Sequence, residues 1–308
     1  MEKEIRALNI LLVFNSSYYM GASVLLYSII KNNPCNIKVY VFYSDLTEDE
    51  IRRFTDIAAE SGRAEVIFIK ITETYFDQAP LHLKWITKET YYRLMAQEKL
   101  PLEVKRFLYL DIDMIVTGSL EEFYNTEFGD ALLVACSMAK PDEVDTKRLE
   151  QLTLPKDTIY FNAGVLLYNL EKQREEIDVK ILYEYPILFY KQLKFQDQDV
   201  LNAVFYGRVK YADYRAYNMP DYLVIKRSDV KQVYESCRIF HYNGNGKPWG
   251  EIYWGRMAEL FWSYAREIPE YAPLYKACRR KQRIYKLKRK WKKFKKKFRK
   301  NGKGEQQK

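Results

Sequence analysis

Two aspartates one residue apart, Asp111 and Asp113, close the apolar run Phe107-Leu108-Tyr109-Leu110. In an extended segment residues i and i+2 point to the same side, so both carboxylates can face one cation. At the end of a strand in an α/β sheet they would stand where such folds bind their ligands. Oxygen-rich sites of this kind suit Mg²⁺ or Mn²⁺ and leave room for phosphate oxygens. Taken alone, the same two acids would serve equally as a solvated turn or a helix cap.

A second group of residues would complete such a site. The chain has only two histidines, His82 and His241. His241 lies in Phe240-His241-Tyr242-Asn243-Gly244-Asn245-Gly246-Lys247-Pro248-Trp249. An imidazole beside two carboxylates favours Mn²⁺, because Mg²⁺ strongly prefers oxygen. The glycines let backbone amides approach an anion closely, and Lys247 adds a point charge. A lone histidine is more often structural, and that is the reading given to His82. Two further segments are polar in apolar surroundings. Tyr160-Phe161-Asn162-Ala163-Gly164-Val165-Leu166-Leu167 reads as a strand whose glycine marks a bulge, a close ligand approach or a buried kink. Phe195-Gln196-Asp197-Gln198-Asp199 precedes an apolar helix, and at least one of its acids reads as an amino-terminal cap.

The elements that would position these residues alternate between strand and helix over the first half, the pattern of a mostly parallel α/β sheet. Asn9–Phe14, Ile37–Tyr43, Val66–Ile71, Arg106–Leu110, Ala131–Ala135 and Phe161–Tyr168 read as strands. Gly21–Lys31 and Thr87–Gln97 read as helices, and Thr47 with Glu50 forms a capping box that opens another, ended by Gly62. From about residue 170 the pattern is more helical, with a short helix at Gln196–Phe205. The aromatic stretch Tyr206–Met219 fits neither period.

The 308 residues, 47% of them hydrophobic, can bury a substantial core without disulfides. Cys35, Cys136, Cys237 and Cys278 lie far apart and read as free thiols. No run approaches the roughly 20 apolar residues of a membrane span, nor does the amino terminus read as a secretion signal, so a cytoplasmic location is expected. Charge is unevenly distributed. Residues 279–308 hold 17 of the 51 basic residues and one acid, Glu305, which leaves residues 1–278 with 34 basic against 40 acidic residues. In this tail Ile284, Leu287, Trp291, Phe294 and Phe298 form a narrow apolar stripe on a basic helix. Such a helix reads as lying on an anionic membrane surface, peripheral to the cytoplasmic membrane, or else as a solvated tail. The chain therefore divides into a mildly acidic body, 1–278, and a basic tail, 279–308.

In this order, the four motifs resemble those of the family 8 retaining glycosyltransferases, in particular the bacterial lipooligosaccharide galactosyltransferase type. The match runs from about Asn9 to Trp249. The resemblance implies a GT-A fold, a Rossmann-like, mostly parallel sheet with a helical carboxyl-terminal portion. It implies a UDP-sugar donor, Mn²⁺ with Mg²⁺ as the alternative, and a glycan or lipid-linked acceptor in cell-surface polysaccharide or lipooligosaccharide synthesis. Carried over by position, Asp111, Asp113 and His241 would be the metal ligands. Lys247 and Gly244 would hold the diphosphate, and Arg93 would reach the donor sugar and phosphate. Asn162, Ala163, Gly164, Asp197 and Gln198 would contact the transferred sugar, with Gln198, Asp197 and Arg93 at the catalytic centre. Val13, Asn15, Tyr18, Ile112 and Asn243 would complete the nucleotide site, Tyr18 stacking on the uracil. One position departs from the pattern: Asn15 stands where the family carries an aspartate that reads the uracil. Its carbonyl oxygen can still accept a hydrogen bond, without negative charge.

Two rival readings start from the same residues. In a haloacid-dehalogenase-like phosphatase Asp111 would be a phosphorylated nucleophile, but Ile115 lacks the expected hydroxyl and no later Gly-Asp-Gly motif follows. A non-enzymatic polyanion or nucleic-acid binder would use the basic tail. Its apolar stripe would be wasted on phosphate backbones, so no nucleic-acid partner is expected.

Overall fold

The computed structural model describes residues 7–82, 87–138, 146–244 and 246–304, leaving aside the side chains of residues 290 and 292–304. Phe294 and Phe298 of the apolar stripe therefore lie outside the described side chains. A seven-stranded sheet forms the body, in the order β3-β2-β1-β4-β7-β6-β8. Its strands are β1 (Leu8–Val13), β2 (Ile37–Tyr43), β3 (Ala64–Lys70), β4 (Arg106–Leu110), β6 (Leu133–Ser137), β7 (Phe161–Asn169) and β8 (Val209–Ala212). β7 runs against both its neighbours, and the other pairings are parallel. A smaller sheet pairs β5 (Met114–Val116), β10 (Ile239–His241) and β9 (Met219–Pro220).

Successive side chains on a strand face opposite sides, and the apolar runs exploit this to build two cores. Ile10, Leu12, Val39, Val41, Leu108 and Leu110 face helix α1 (Tyr19–Asn32) and the buried Trp262. Leu11, Val13, Tyr40, Phe42, Phe107 and Tyr109 face Tyr91, Leu94 and Leu201 on the other side. Helix α2 (Glu48–Ala59) opens with the capping box expected from Thr47 and Glu50. Gly62 follows its end with φ +67°, a left-handed conformation that glycine adopts without strain.

The strands fall within a few residues of their expected places. Thr87–Gln97 differs: Lys88–Met95 is 3₁₀ and only Ala96–Lys99 is α. Thr87, Thr90, Tyr91 and Tyr92 are weak helix formers, and burial of Tyr91, Tyr92, Arg93, Leu94 and Met95 fixes the segment instead. The unassigned stretch Tyr206–Met219 holds β8, a helical turn at Tyr214–Tyr217 and the start of β9.

Candidate active site

β1 pairs with β2 on one side and β4 on the other, so a crevice opens where their carboxyl ends part. Asn15–Tyr18 leave β1 there and Asp111–Asp113 leave β4. Because β7 is antiparallel, its first residues arrive at the same end, and the Asp111 amide donates to the Gly164 carbonyl at 2.8 Å. The β6–β7 register jumps from Ala135↔Leu166 to Cys136↔Asn162, which leaves Ala163–Val165 unpaired with β6. The glycine thus marks a bulge at the site. A Cβ on Gly164 would come within 2.6 Å of His241 Cε1 and 2.9 Å of Asn162 Oδ1, so close packing requires its absence.

His241 reaches the aspartates through the small sheet, in register with Met114 beside Asp113. Its Nε2 lies 3.2 Å from Asp113 Oδ1 and 3.8 Å from Asp111 Oδ2, and one ligand atom from each residue falls within 4.8 Å of the others. His241 Nδ1 faces Asn218 Oδ1 at 2.8 Å, so the ring carries its proton there and turns the Nε2 lone pair toward the aspartates. Two carboxylates and one imidazole lone pair converging on a point suit a divalent cation.

Cations border this cluster. The Lys247 ammonium sits 2.5 Å from Asp113 Oδ2 and donates to the Tyr242 and Gly244 carbonyls at 2.8 and 2.9 Å. Burial alone would raise the Asp113 carboxyl, but the Lys247 ammonium beside it holds it well below the usual carboxylate range. Arg93 is buried beneath the crevice. It bonds Asp111 Oδ1 at 3.0 Å and the Ala163 carbonyl at 2.6 Å, and lies 2.9 Å from Asp197 Oδ2. Its guanidinium also lies 4.0 Å over the Tyr109 ring. Gln198 accepts from the Ala163 amide at 3.0 Å and from Asn162 at 3.2 Å, and donates to the Tyr160 hydroxyl at 3.3 Å. The crevice encloses a cavity of about 350 Å³, within the roughly 300–1,000 Å³ usual for small-molecule sites.

A protein-family model for glycosyl transferase family 8 matches residues 9–253. The chain belongs to that family. A lipopolysaccharide 1,2-glucosyltransferase of Escherichia coli is 27% identical over 269 residues, 84% of this chain and 77% of its own. A lipopolysaccharide 1,3-galactosyltransferase of Salmonella typhimurium is 25% identical over 254 residues, covering 80% and 74%. The galactosyltransferase LgtC, solved with donor and acceptor sugar analogues, superposes with a TM-score of 0.71 at 27% identity, over 83% of this chain and 95% of that one. The protein is a glycosyltransferase with the GT-A fold, so the phosphatase and non-enzymatic readings fall away.

Of the residues expected in this family 8 site, Val13, Asn15, Tyr18, Arg93, Asp111, Ile112, Asp113, Asn162, Ala163, Asp197, Gln198, His241, Asn243 and Lys247 line that cavity. Gly164 and Gly244 stand behind its wall, the first under His241 and the second capping Lys247 through its carbonyl. His82 lies elsewhere, its Nε2 3.2 Å from the Tyr190 carbonyl. Sequence reasoning passed over four partners. Asn218 orients His241, Thr90 donates to Asp197 at 2.7 Å, Tyr109 donates to Asp111 at 2.7 Å, and Glu89 stands behind Asn15. Tyr109 lay inside the quoted apolar run and Thr90 inside the expected helix Thr87–Gln97, where a polar group beside a charged one was the available signal. Asn218 sat in the aromatic stretch that carried no periodicity.

Proposed function

We propose that this family 8 enzyme moves a hexose, glucose or galactose, from a UDP-sugar to a glycan or glycolipid acceptor in cell-surface polysaccharide or lipooligosaccharide synthesis, with retention at the anomeric carbon. The observation carrying this reading is the convergence of Asp111, Asp113 and His241 on one point of a cavity flanked by Arg93 and Lys247. A divalent cation held there, Mn²⁺ by the donor set, would neutralise diphosphate oxygens as the sugar leaves. The likeness to lipopolysaccharide glucosyl- and galactosyltransferases supports the hexose and the acceptor class.

Departure of the diphosphate builds negative charge, and preorganised cations answer it without reorganisation. Lys247 is tied to Asp113 and two loop carbonyls, so it stands ready at the diphosphate side. Asp197 and Thr90 fix Arg93 toward the sugar and phosphate. Burial pushes the Asp197 carboxyl up to about 6, against the opposing pull of Arg93 and Thr90. Asn162, Ala163 and Gln198 form the wall beneath the sugar. The Gln198 amide oxygen already accepts two hydrogen bonds, which makes it a poor nucleophile. Front-face attack, with the leaving phosphate taking the acceptor's proton, suits this wall better. The basic tail would hold the enzyme at an anionic membrane surface, near a lipid-linked acceptor.

Hydrolysis of a panel of nucleotide sugars, with Mn²⁺ and with chelator, tests the reading. Release of UDP from one uridine sugar, abolished by chelator, is expected. Equal release with chelator, or absence of both turnover and uridine nucleotide binding, would overturn it.

A further inference from the structure

We infer that Glu89, acting through Asn15, makes the nucleotide pocket select a base that presents an N3–H donor, uracil or thymine, over cytosine. The inference rests on the nucleotide-sugar reading above and deepens it at the base. With the diphosphate at Asp111, Asp113 and Lys247 and the sugar at Asn162 and Gln198, the base is directed to the remaining end of the cavity. That end is walled by Val13, Phe14, Asn15, Tyr18, Thr87 and Glu89.

Asn15 carries no charge, and an amide can turn either its oxygen or its nitrogen to a ligand. Here the choice is made from behind. Asn15 Nδ2 donates to Glu89 Oε2 at 3.2 Å and to Thr87 Oγ1 at 3.4 Å. Glu89 is itself buried, 7% exposed, and its other oxygen accepts from Ser44 Oγ at 2.6 Å. An ionised carboxylate is acceptor-only, so turning the Asn15 oxygen toward it would set two acceptors face to face. Both amide hydrogens are thus spent, and Asn15 Oδ1 accepts from Ser17 Oγ at 2.5 Å with a second lone pair to offer. Asn15 therefore acts as an acceptor only, as a carboxylate would, with the charge one residue further back. Uracil N3–H meets this acceptor; cytosine N3 is an acceptor and leaves both groups unpaired. A buried site built around one hydrogen bond discriminates through that unpaired state.

Glu89 is a positioning residue, and its readout is a selectivity ratio rather than an affinity. Calorimetric titration of the full chain with UDP, dTDP, CDP and GDP in Mn²⁺ supplies it. The unsubstituted protein is expected to favour UDP over CDP by about ten- to a hundredfold, the penalty of an unpaired buried acceptor. In Glu89→Gln the backing residue can accept or donate, Asn15 can turn over, and the ratio should collapse toward one. Thr87→Val removes the second partner and should lower the ratio less. The double variant Asn15→Asp with Glu89→Gln moves the carboxylate to the front and should restore uridine selectivity. A ratio compares ligands on one preparation, so partial loss of folded protein leaves it unchanged. Equal binding of UDP and CDP by the unsubstituted chain, tighter GDP than UDP, or an unaltered ratio in Glu89→Gln would each overturn the inference alone. Binding of none of the four would overturn the nucleotide-sugar reading and this inference with it.

Discussion

Asp113 answers to Lys247, to His241 and to the cation the cluster fits, so removing its charge disturbs all three at once. Asp113→Asn is expected to lower metal-dependent turnover by at least about a hundredfold, the scale of losing several kcal/mol of charge stabilisation. Donor turnover at saturating Mn²⁺ measures it, and near-normal rates would remove Asp113 from the ligand set. Glu89 gives a second test at this scale. Burial would raise its carboxyl, but Ser44, Thr87 and Asn15 hold it below the ordinary value. A carboxylate depressed by folding adds stability that is complete above its unfolded pKa, near 4.5. That stability is lost as pH falls through the lower folded value. Thermal melts between pH 7 and 3 should therefore fall more steeply for the native chain than for Glu89→Gln. Parallel curves would show that Glu89 is not held ionised.

At the scale of elements, the β7 bulge and the small sheet bring the site together. Gly164→Ala would drive a methyl into His241, Met114 and Asn162, all within 3 Å of the new carbon. Overpacking of this kind costs about 1–3 kcal/mol, and here the strain falls on a metal-ligand candidate. The variant should fold with a lowered melting temperature and lose Mn²⁺-dependent turnover disproportionately. Turnover falling only in step with folded fraction would reduce Gly164 to a packing role. Much of this level was legible in advance. β1, β2 and β4 are buried on both faces and read as continuous apolar runs, and the four polar motifs each occupy one contiguous segment. The small sheet was not legible, because strands of two or three residues, Met219–Pro220 and Ile239–His241, show no period. Hence no strand is expected at His241 from the sequence, although one holds it. Asn218 and Glu89 were hidden for a related reason: their partners lie 23 and 74 positions away, and only the folded chain joins them.

The molecule as a whole joins its site to its tail through one helix, Leu274–Gly304. The first turns of that helix belong to the body. Gln282 is fully buried and donates to the Pro248 and Gly250 carbonyls at 2.8 Å, bracketing the Lys247-Pro248-Trp249 turn. The Trp249 ring lies in turn against Gly21, which the Ile112 carbonyl also approaches, so the helix braces the Lys247-Pro248-Trp249 turn from behind. Arg289 still lies 4.7 Å over the Trp254 ring. On its other side the helix changes character: Ile284, Leu287 and Trp291 are 42, 66 and 59% exposed, and residues 290–308 carry ten basic side chains. Among the described residues no helix is long and apolar enough to cross a membrane; the attachment proposed for the tail is to an anionic membrane surface. Two truncations separate the roles. A chain ending at Arg289 keeps Gln282 and should retain its melting temperature and donor hydrolysis while losing cosedimentation with anionic phosphatidylglycerol vesicles. Each basic residue near such a surface contributes about 1 kcal/mol, and the attraction is screened by salt. Binding of the full chain should therefore weaken steeply with added NaCl and be slight on neutral phosphatidylcholine. A chain ending at Cys278 removes Gln282 as well, and should lose stability and donor hydrolysis together. Equal pelleting of the full chain and the chain ending at Arg289 would end the membrane role of the tail, while unimpaired hydrolysis by the shorter chain would end the supporting role of the helix.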